Sequence, residues 1–539
     1  MSTKPTALSS LDHTLRPPQD WSRGIDHSII SSALADTPCA DLGIDGVLKK
    51  FNATLSTSYT LGSQDLRASR KTTLHSILEP YVARNDDFGT VYGHLRPYWY
   101  DYDVTAIKDT LCVREKLDRE MRRKLLACNR IRTREMFPRR LWDLYANRVV
   151  PYWVVPDWVE CGMLWGISHA WLDENDRVNA MTPINGYEWP VPMPNDANLD
   201  RIRIEMLNLG AQYTWLDEWK LDVPSIGSVY KSTCVVCYFN GLGRPLHLRR
   251  DYFKSDRCWF RHAWTLQEIT RHLIIGGESG DDIMEKEVQE TFDEQLVRLQ
   301  RIREQGLVLE LASEMKNRVS SKPLDKVAGL AYLVEPDFLP TYDVEMSDMD
   351  AWEVLMDMMS AWHRGQLFLY FPEPGNGTKY WRPSWQQIMT NKHSMYCPFR
   401  RPGEVKRNGD TDGDWYWGYC IESAEVRGLD RGLKAGKRRK GKVVFKNPAG
   451  VCCTFTIRAK HVYPIPDGSY TLIRSSNNSH NSGYDYRLWV VGQLREDGKF
   501  QKLSVFFSED DEQVNPSKRA RRIMRLRGAF MRSGAFRAF

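Results

Sequence analysis

No apolar run in this 539-residue chain approaches the about 20 residues that a membrane-spanning helix needs. The longest, such as Val149 to Pro156, last only a few residues and carry prolines. A membrane span is therefore not expected. The opening residues (Met1, Ser2, Thr3, Lys4, Pro5) lead into a polar stretch and lack the apolar core of a secretory signal. Cysteine is sparse, 11 in the whole chain without framework spacing, which excludes a disulfide-built scaffold and fits reduced thiols. A cytoplasmic location follows as an expectation. A strong net charge is missing as well. The formal value is +6, but Lys518, Arg519, Arg521, Arg522, Arg525, Arg527, Arg532 and Arg537 lie in one acid-free tail; subtracting these eight leaves −2 elsewhere. A second basic cluster, Arg431 to Lys442, sits among glycines. Such runs can bind nucleic acid or acidic membranes, or act as nuclear signals. A solvated tail is the expectation here, and nucleic acid is not an expected partner.

Metal and phosphate signals are also absent. Cys258, His262 and His272 lack zinc-ligand spacing, so no metal is expected. Gly241-Leu-Gly243 is too short for a phosphate-binding fingerprint. Cys234-Val-Val-Cys237 lies inside an apparent strand, where its two thiols point to opposite faces.

What is present is ordinary globular composition, 42% hydrophobic and 27% charged, at a length suggesting about three to four folding units. Residues 1–158 read as a mainly helical N-terminal region with a polar start. Val104, Ile107, Leu111 and then Leu117, Met121, Leu125 recur at helical steps, predicting one long helix or two joined helices over 104–135. The prolines of Pro151-Tyr-Trp-Val-Val-Pro156 mark a boundary. Over 159–280 short apolar runs alternate with helical stretches. Gly166 to Trp171, Tyr213 to Leu216, Thr233 to Phe239 and His272 to Gly276 read as strands. A helix from Leu199 to Leu209 is capped by Asn198 and stopped by Gly210. Shorter helices are expected from Pro224 to Tyr230, capped by Asp222, and from Trp259 to Ile269. This alternation predicts an α/β fold with an open, mostly parallel sheet.

Residues 281–395 read as helical, with one stretch from Ile283 to Arg318 and another from Met349 to His363. Residues 396–512 are β-rich, with strands at Gly441–Phe445, Val451–Ile457, Tyr470–Ile473 and Leu488–Gln493, the last joined to 500–507 as a hairpin. Trp415, Tyr416 and Trp417 are read as sheet packing. The basic tail fills 513–539.

Three segments carry a resemblance. Gly166-Ile-Ser-His-Ala-Trp171, Tyr213-Thr-Trp-Leu-Asp217 and Arg257-Cys-Trp-Phe-Arg-His-Ala-Trp264-Thr-Leu-Gln-Glu268 resemble, in order and spacing, the signature blocks of the fungal HET (heterokaryon incompatibility) domain. Ala263 to Glu268 is the most specific match. Asp325-Lys-Val-Ala-Gly-Leu-Ala331 is similar to a helix that often follows that domain. The resemblance covers about 120 residues. It implies a TIR-like, flavodoxin-like sheet and a role in non-self recognition (allorecognition) and programmed cell death, an innate-immunity-like pathway, by signalling and self-association through the domain.

The alternative it implies is NAD glycohydrolase activity, with NAD as substrate and no resident cofactor. Trp264-x-x-x-Glu268 has the spacing of the catalytic glutamate motif of NAD-cleaving TIR enzymes. On a helix the two would share a face. Glu268 would then stabilise oxocarbenium charge on the ribose, with Ser168, Trp171, Asp217 and Trp264 as substrate-binding residues. Each residue also has a structural reading: Trp264 as core, Glu268 as an ion pair or buried acid, Asp217 as a loop cap. After Asp217 the chain departs from the family and runs directly into Glu218-Trp-Lys-Leu-Asp222. Either the rim of the site is truncated or a coding segment is missing.

Overall fold

The computed structural model of the chain describes residues 7–9, 29–62, 73–100, 106–127, 130–133, 136–156, 164–182, 191–216, 226–270, 273–278, 284–377, 379–390, 402–408, 413–416, 418–430, 438–447, 450–474, 487–496, 498–508 and 536–538. The chain divides into two compact units, Met1–Gln300 and Arg301–Phe539.

The first unit is built on a mixed sheet. Its strands are β1 (Ala7–Ser9), β2 (Arg140–Asp143), β3 (Arg148–Pro151), β4 (Leu164–His169), β5 (Tyr213–Leu216), β6 (Cys234–Tyr238) and β7 (Leu273–Glu278), in the spatial order β1-β7-β6-β4-β5-β2-β3. The first five in that order are parallel, as the strand–helix alternation predicts. The β2–β3 hairpin joins the β5 edge antiparallel, which makes the sheet mixed. Counted from β4, the order β5-β4-β6-β7 is the 2-1-3-4 arrangement of a doubly wound sheet. β4, β5 and β6 are buried almost throughout because both faces are covered.

The covering layers differ. Helix α5 (Leu199–Asn208) connects β4 to β5 and lays Ile202 and Met206 on Trp165, Ile167, Val236 and Tyr238. Its Asn198 side chain accepts from Arg201 N at 3.1 Å, and Gly210 follows with φ +86°, as expected. Helix α6 (Ile226–Ser232) connects β5 to β6 and joins Tyr213, Trp215 and Val235 on the opposite face. The same cluster takes in α1 (Cys39–Leu55), α2 (Leu74–Ala83) and α3 (Phe88–Leu95) through Phe51, Leu78 and Tyr92.

Four expectations fail for local reasons. The helix over 104–135 stops sooner: α4 (Ile107–Leu125) gives way to two-residue strands at Leu126–Ala127 and Arg130–Ile131. The stretch 259–269 forms two 3-10 turns, Trp259–Arg261 and Trp264–Leu266, separated by an extended His262. The 283–318 helix is broken into α7 (Lys286–Gln305) and α8 (Val308–Lys316) at Gly306, whose φ of +60° leaves the helical region. The helix at 349–363 is likewise two, α9 (Asp348–Met358) and α10 (Ala361–Tyr370), parted by an extended Met359.

In the second unit the β-rich region closes on itself. Strands β8 (Tyr419–Arg427), β9 (Arg439–Lys446), β10 (Cys452–Ala459), β11 (Gly468–Arg474), β12 (Arg487–Leu494) and β13 (Lys499–Ser508) pair antiparallel around the ring β8-β9-β10-β13-β12-β11-β8. Val426, Phe455, Leu472, Trp489 and Phe506 fill the interior. Tyr416 is buried and donates to Arg474 O, whereas Trp417 lies outside the described residues.

A buried ion pair fixes the first unit. Arg96, just after α3, donates to Asp143 Oδ2 at 2.9 Å, and neither side chain has any exposure. Arg96 also donates to Tyr213 OH at 3.3 Å, and with its amide oxygen turned inward Gln212 accepts at 2.8 and 2.9 Å. Burial works against the Arg96 charge; Asp143, Tyr213 and Tyr92 outweigh it and hold the group protonated. Asp143→Ala strands that charge and should cost about 3–5 kcal/mol in denaturant unfolding, whereas Arg96→Met with Asp143→Leu should restore most of it.

His94, on α3, bonds Tyr81 OH through Nδ1 at 3.4 Å, and burial pushes its pKa down to about 4. Between the ordinary value and about 4 the unfolded chain binds a proton that the folded chain refuses, so stability falls as pH drops through that window. The loss should reach at most about 3 kcal/mol. Urea midpoints measured from pH 7 to pH 4 should fall less steeply for His94→Gln.

Candidate functional site

In a doubly wound sheet ligands bind beyond the carboxyl ends of the strands where the winding reverses. Here that point lies between β4 and β6, and the pairing register sets Ser168 beside Cys237 and His169 beside Tyr238. Side chains alternate along a strand. Ser168 and Cys237 therefore face the α6 side, while Ile167, Val236 and Tyr238 face α5. The β6-to-β7 connection covers Ser168 and Cys237.

Its 3-10 turns bring two side chains onto Ser168. The hydroxyl donates to Glu268 Oε2 at 2.5 Å and accepts from the Trp259 indole N–H at 2.7 Å. The Cys237 thiol approaches the same oxygen at 3.8 Å. Tyr252 ties the connection down: its hydroxyl accepts from Trp259 N at 3.0 Å and donates to Phe239 O at 2.8 Å. Burial holds that phenol well above its usual pKa. Phe239 meets the rings of Trp259, Phe260 and Phe292 on the outer side. Ser168, Trp259 and Cys237 have no exposure, and Glu268 has 1%.

The expected site residues thus fare differently. Ser168 and Glu268 meet. Trp264 does not share a helix face with Glu268, because no helix forms there. The Thr265 hydroxyl donates to Trp259 O at 2.6 Å and His262 O at 3.0 Å, holding a compact turn where a helix would continue. Trp264 is half-buried and packs on the cluster of Trp215 and Tyr230. Trp171 lies past the end of β4, its ring stacked on His169 at 5.9 Å. Asp217 falls outside the described residues. The indole that serves the Ser168–Glu268 pair is Trp259, which the sequence reading passed over; a buried indole N–H needs an acceptor, and that need was the available signal.

Glycines shape the surroundings. A Cβ on Gly166 would meet the Tyr230 ring at 3.0 Å, and the Tyr230 hydroxyl donates to Ile167 O at 2.8 Å. At the strand ends Gly241 lies against Leu172, and Gly243 against Ile202. On the α5 face, Tyr238 donates to Glu205 Oε2 at 2.7 Å. Burial pushes the Glu205 carboxyl up, with that hydrogen bond pulling the other way.

Chemically, the cluster is a hydroxyl held between a carboxylate and an indole. Such a carboxylate can stabilise developing positive charge only if substrate reaches it. Among the described residues no group of three His, Cys, Asp or Glu could hold a metal ion, and no helix is long and apolar enough to cross a membrane. Compared with known proteins, the chain matches no family model, no curated protein and no solved structure.

Because Ser168 serves both neighbours, the hydrogen bonds are coupled. Ser168→Ala and Trp259→Phe should each lower stability by about 1–3 kcal/mol, and the double variant should lose less than the sum. A double-mutant cycle in urea measures it.

Proposed function

We propose that the chain is a HET-type, TIR-like module of fungal non-self recognition and regulated cell death, acting in the cytoplasm by association rather than catalysis. The observation that carries this reading is the Ser168–Glu268 hydrogen bond of 2.5 Å. It joins the first and third of the resembling blocks across 100 residues, and the second block pairs alongside the first with Gly166 opposite Trp215. Segments that resemble one family in sequence are thus neighbours in space. The same contact supports association over catalysis, since a carboxylate at 1% exposure, turned onto its own serine, meets no substrate.

The second reading, NAD glycohydrolase activity through Glu268, draws support from one feature. The pair lies at the end of β4 beside β6, where such sheets bind nucleotides. Hydrolysis would require the Ser168–Glu268 bond to open.

One experiment separates the two. The purified chain and Glu268→Gln are incubated with NAD, and both are expressed in a fungal host. Neither protein should release nicotinamide, and toxicity on expression should be the same for both. Release by wild type that is lost in Glu268→Gln, by the several kcal/mol of a transition-state contact, would establish the hydrolase. Release retained by the Gln variant would remove Glu268 from any mechanism. A harmless wild type would sink the cell-death reading.

A further inference from the structure

Helix α4 has two apolar faces and uses one. Ile107 and Leu111 are buried. The Arg114 guanidinium on the adjoining edge donates to Trp153 O and Val155 O at 2.8 and 2.5 Å, and Arg122 donates to Pro138 O at 3.2 Å. These bonds fix the rotation of the helix. Val113, Leu117 and Met121 are left outside at 56%, 59% and 37% exposure, although Leu117 and Met121 belong to the helical periodicity of the sequence. At four-residue steps the three form one ridge, drifting about 40° per step around the helix.

We infer that this ridge is a self-association surface on which α4 packs antiparallel against α4 of a second copy of this chain, about a two-fold axis at Leu117. The flanking charges select that occupant and that direction. The flank that is open to a partner carries Lys116 and then Glu120. The other is closed: Arg114 is held by the Trp153 and Val155 carbonyls, and Asp118 accepts from Arg122 Nε at 2.8 Å. In a parallel pair the open flank faces the closed one and sets Lys116 beside Arg114. In an antiparallel pair it meets its own reversed copy, so Lys116 of each chain approaches Glu120 of the other. Ridges at four-residue spacing interdigitate at a crossing of about −50°, which confines contact to the three apolar residues and these charges. Leu117 then meets Leu117, and Val113 meets Met121 of the second copy.

This places a surface for association in the N-terminal region, outside the resembling segments, and rests on the proposed function only for its purpose in the cell. The test is sedimentation equilibrium of the full chain. Wild type should show a concentration-dependent dimer. Leu117→Glu and Glu120→Lys should each weaken it by about tenfold or more, and Lys116→Glu combined with Glu120→Lys should restore it, because the reversed flank still opposes itself. Helical circular dichroism should not change, and the exposed charge variants keep the test independent of folding. In a Cys112→Ser background, which removes the exposed native thiol on this helix, Leu117→Cys should trap a disulfide dimer. Val113→Cys should trap one only when mixed with Met121→Cys. A wild-type monomer at every concentration, or a dimer indifferent to Leu117→Glu, would overturn the proposal. Self-trapping at all three cysteine positions would overturn the antiparallel arrangement. Toxicity from a monomer would leave the cell-death reading standing without this surface; a harmless dimer would do the reverse.

Discussion

Arg96 carries a charge where no water reaches, and much of the first unit is arranged to accommodate it. Asp143 supplies the counter-charge from β2 and uses its other oxygen to accept from Tyr145 N at 2.9 Å and Ala146 N at 3.1 Å. The ion pair therefore also shapes the hairpin turn. Tyr145 and Tyr92 present their rings to the guanidinium at 4.8 and 5.9 Å. From the other side Arg203 of α5 donates to Leu144 O at 2.6 Å and Ile30 O at 2.7 Å. A buried pair of this kind adds little net stability, since desolvation offsets most of the attraction. Its effect is on register. Helix α3, the β2–β3 hairpin and β5 can meet in only one way without leaving a buried charge alone, and that arrangement extends the parallel sheet by two antiparallel strands.

The same logic, applied to hydrogen bonds, operates where the sheet winding reverses. A doubly wound sheet leaves a crevice at the strand ends, and this chain turns its polar groups there inward. Ser168 answers both Glu268 and Trp259, Tyr252 bonds across the connection, and Leu172 lies under Gly241. The result is a latch between β4 and the β6–β7 connection.

The sequence was most readable where both faces of an element carry the same message. β6 is a continuous apolar run, β5 is rich in strand-forming residues, and Asn198 with Gly210 brackets α5; all three were expected and all are present. The sequence was least readable where a side-chain hydrogen bond or an unusual backbone angle decides the outcome. Thr265 holds a tight turn in a stretch whose periodicity is helical, and with that helix goes the Trp264–Glu268 face. Gly306 and Met359 break apolar patterns that read as continuous. The β2–β3 hairpin is two four-residue strands around Asp143 and Asn147, with no alternation long enough to register. Closure of the barrel depends on β13 pairing with both β12 and β10, a non-local fact that no local pattern contains. For the site, the blocks pointed to Ser168 and Glu268 together, whereas the choice of Trp259 over Trp264 depends on backbone path.

The proposed α4 surface can be weighed by magnitude. A symmetric pair would cover six side chains, each now between about a third and three-fifths exposed. Fully burying an aliphatic side chain of this size yields about 1.5–3 kcal/mol, so roughly half that gain for each gives about 5–9 kcal/mol in all. Association itself costs about 4–15 kcal/mol in lost freedom. The apolar ridge alone therefore sits near balance. Under those conditions the Lys116–Glu120 flank decides whether a pair forms, since Arg114 and Asp118 are already engaged within the chain. A contact of this strength is governed by the concentration of the chain.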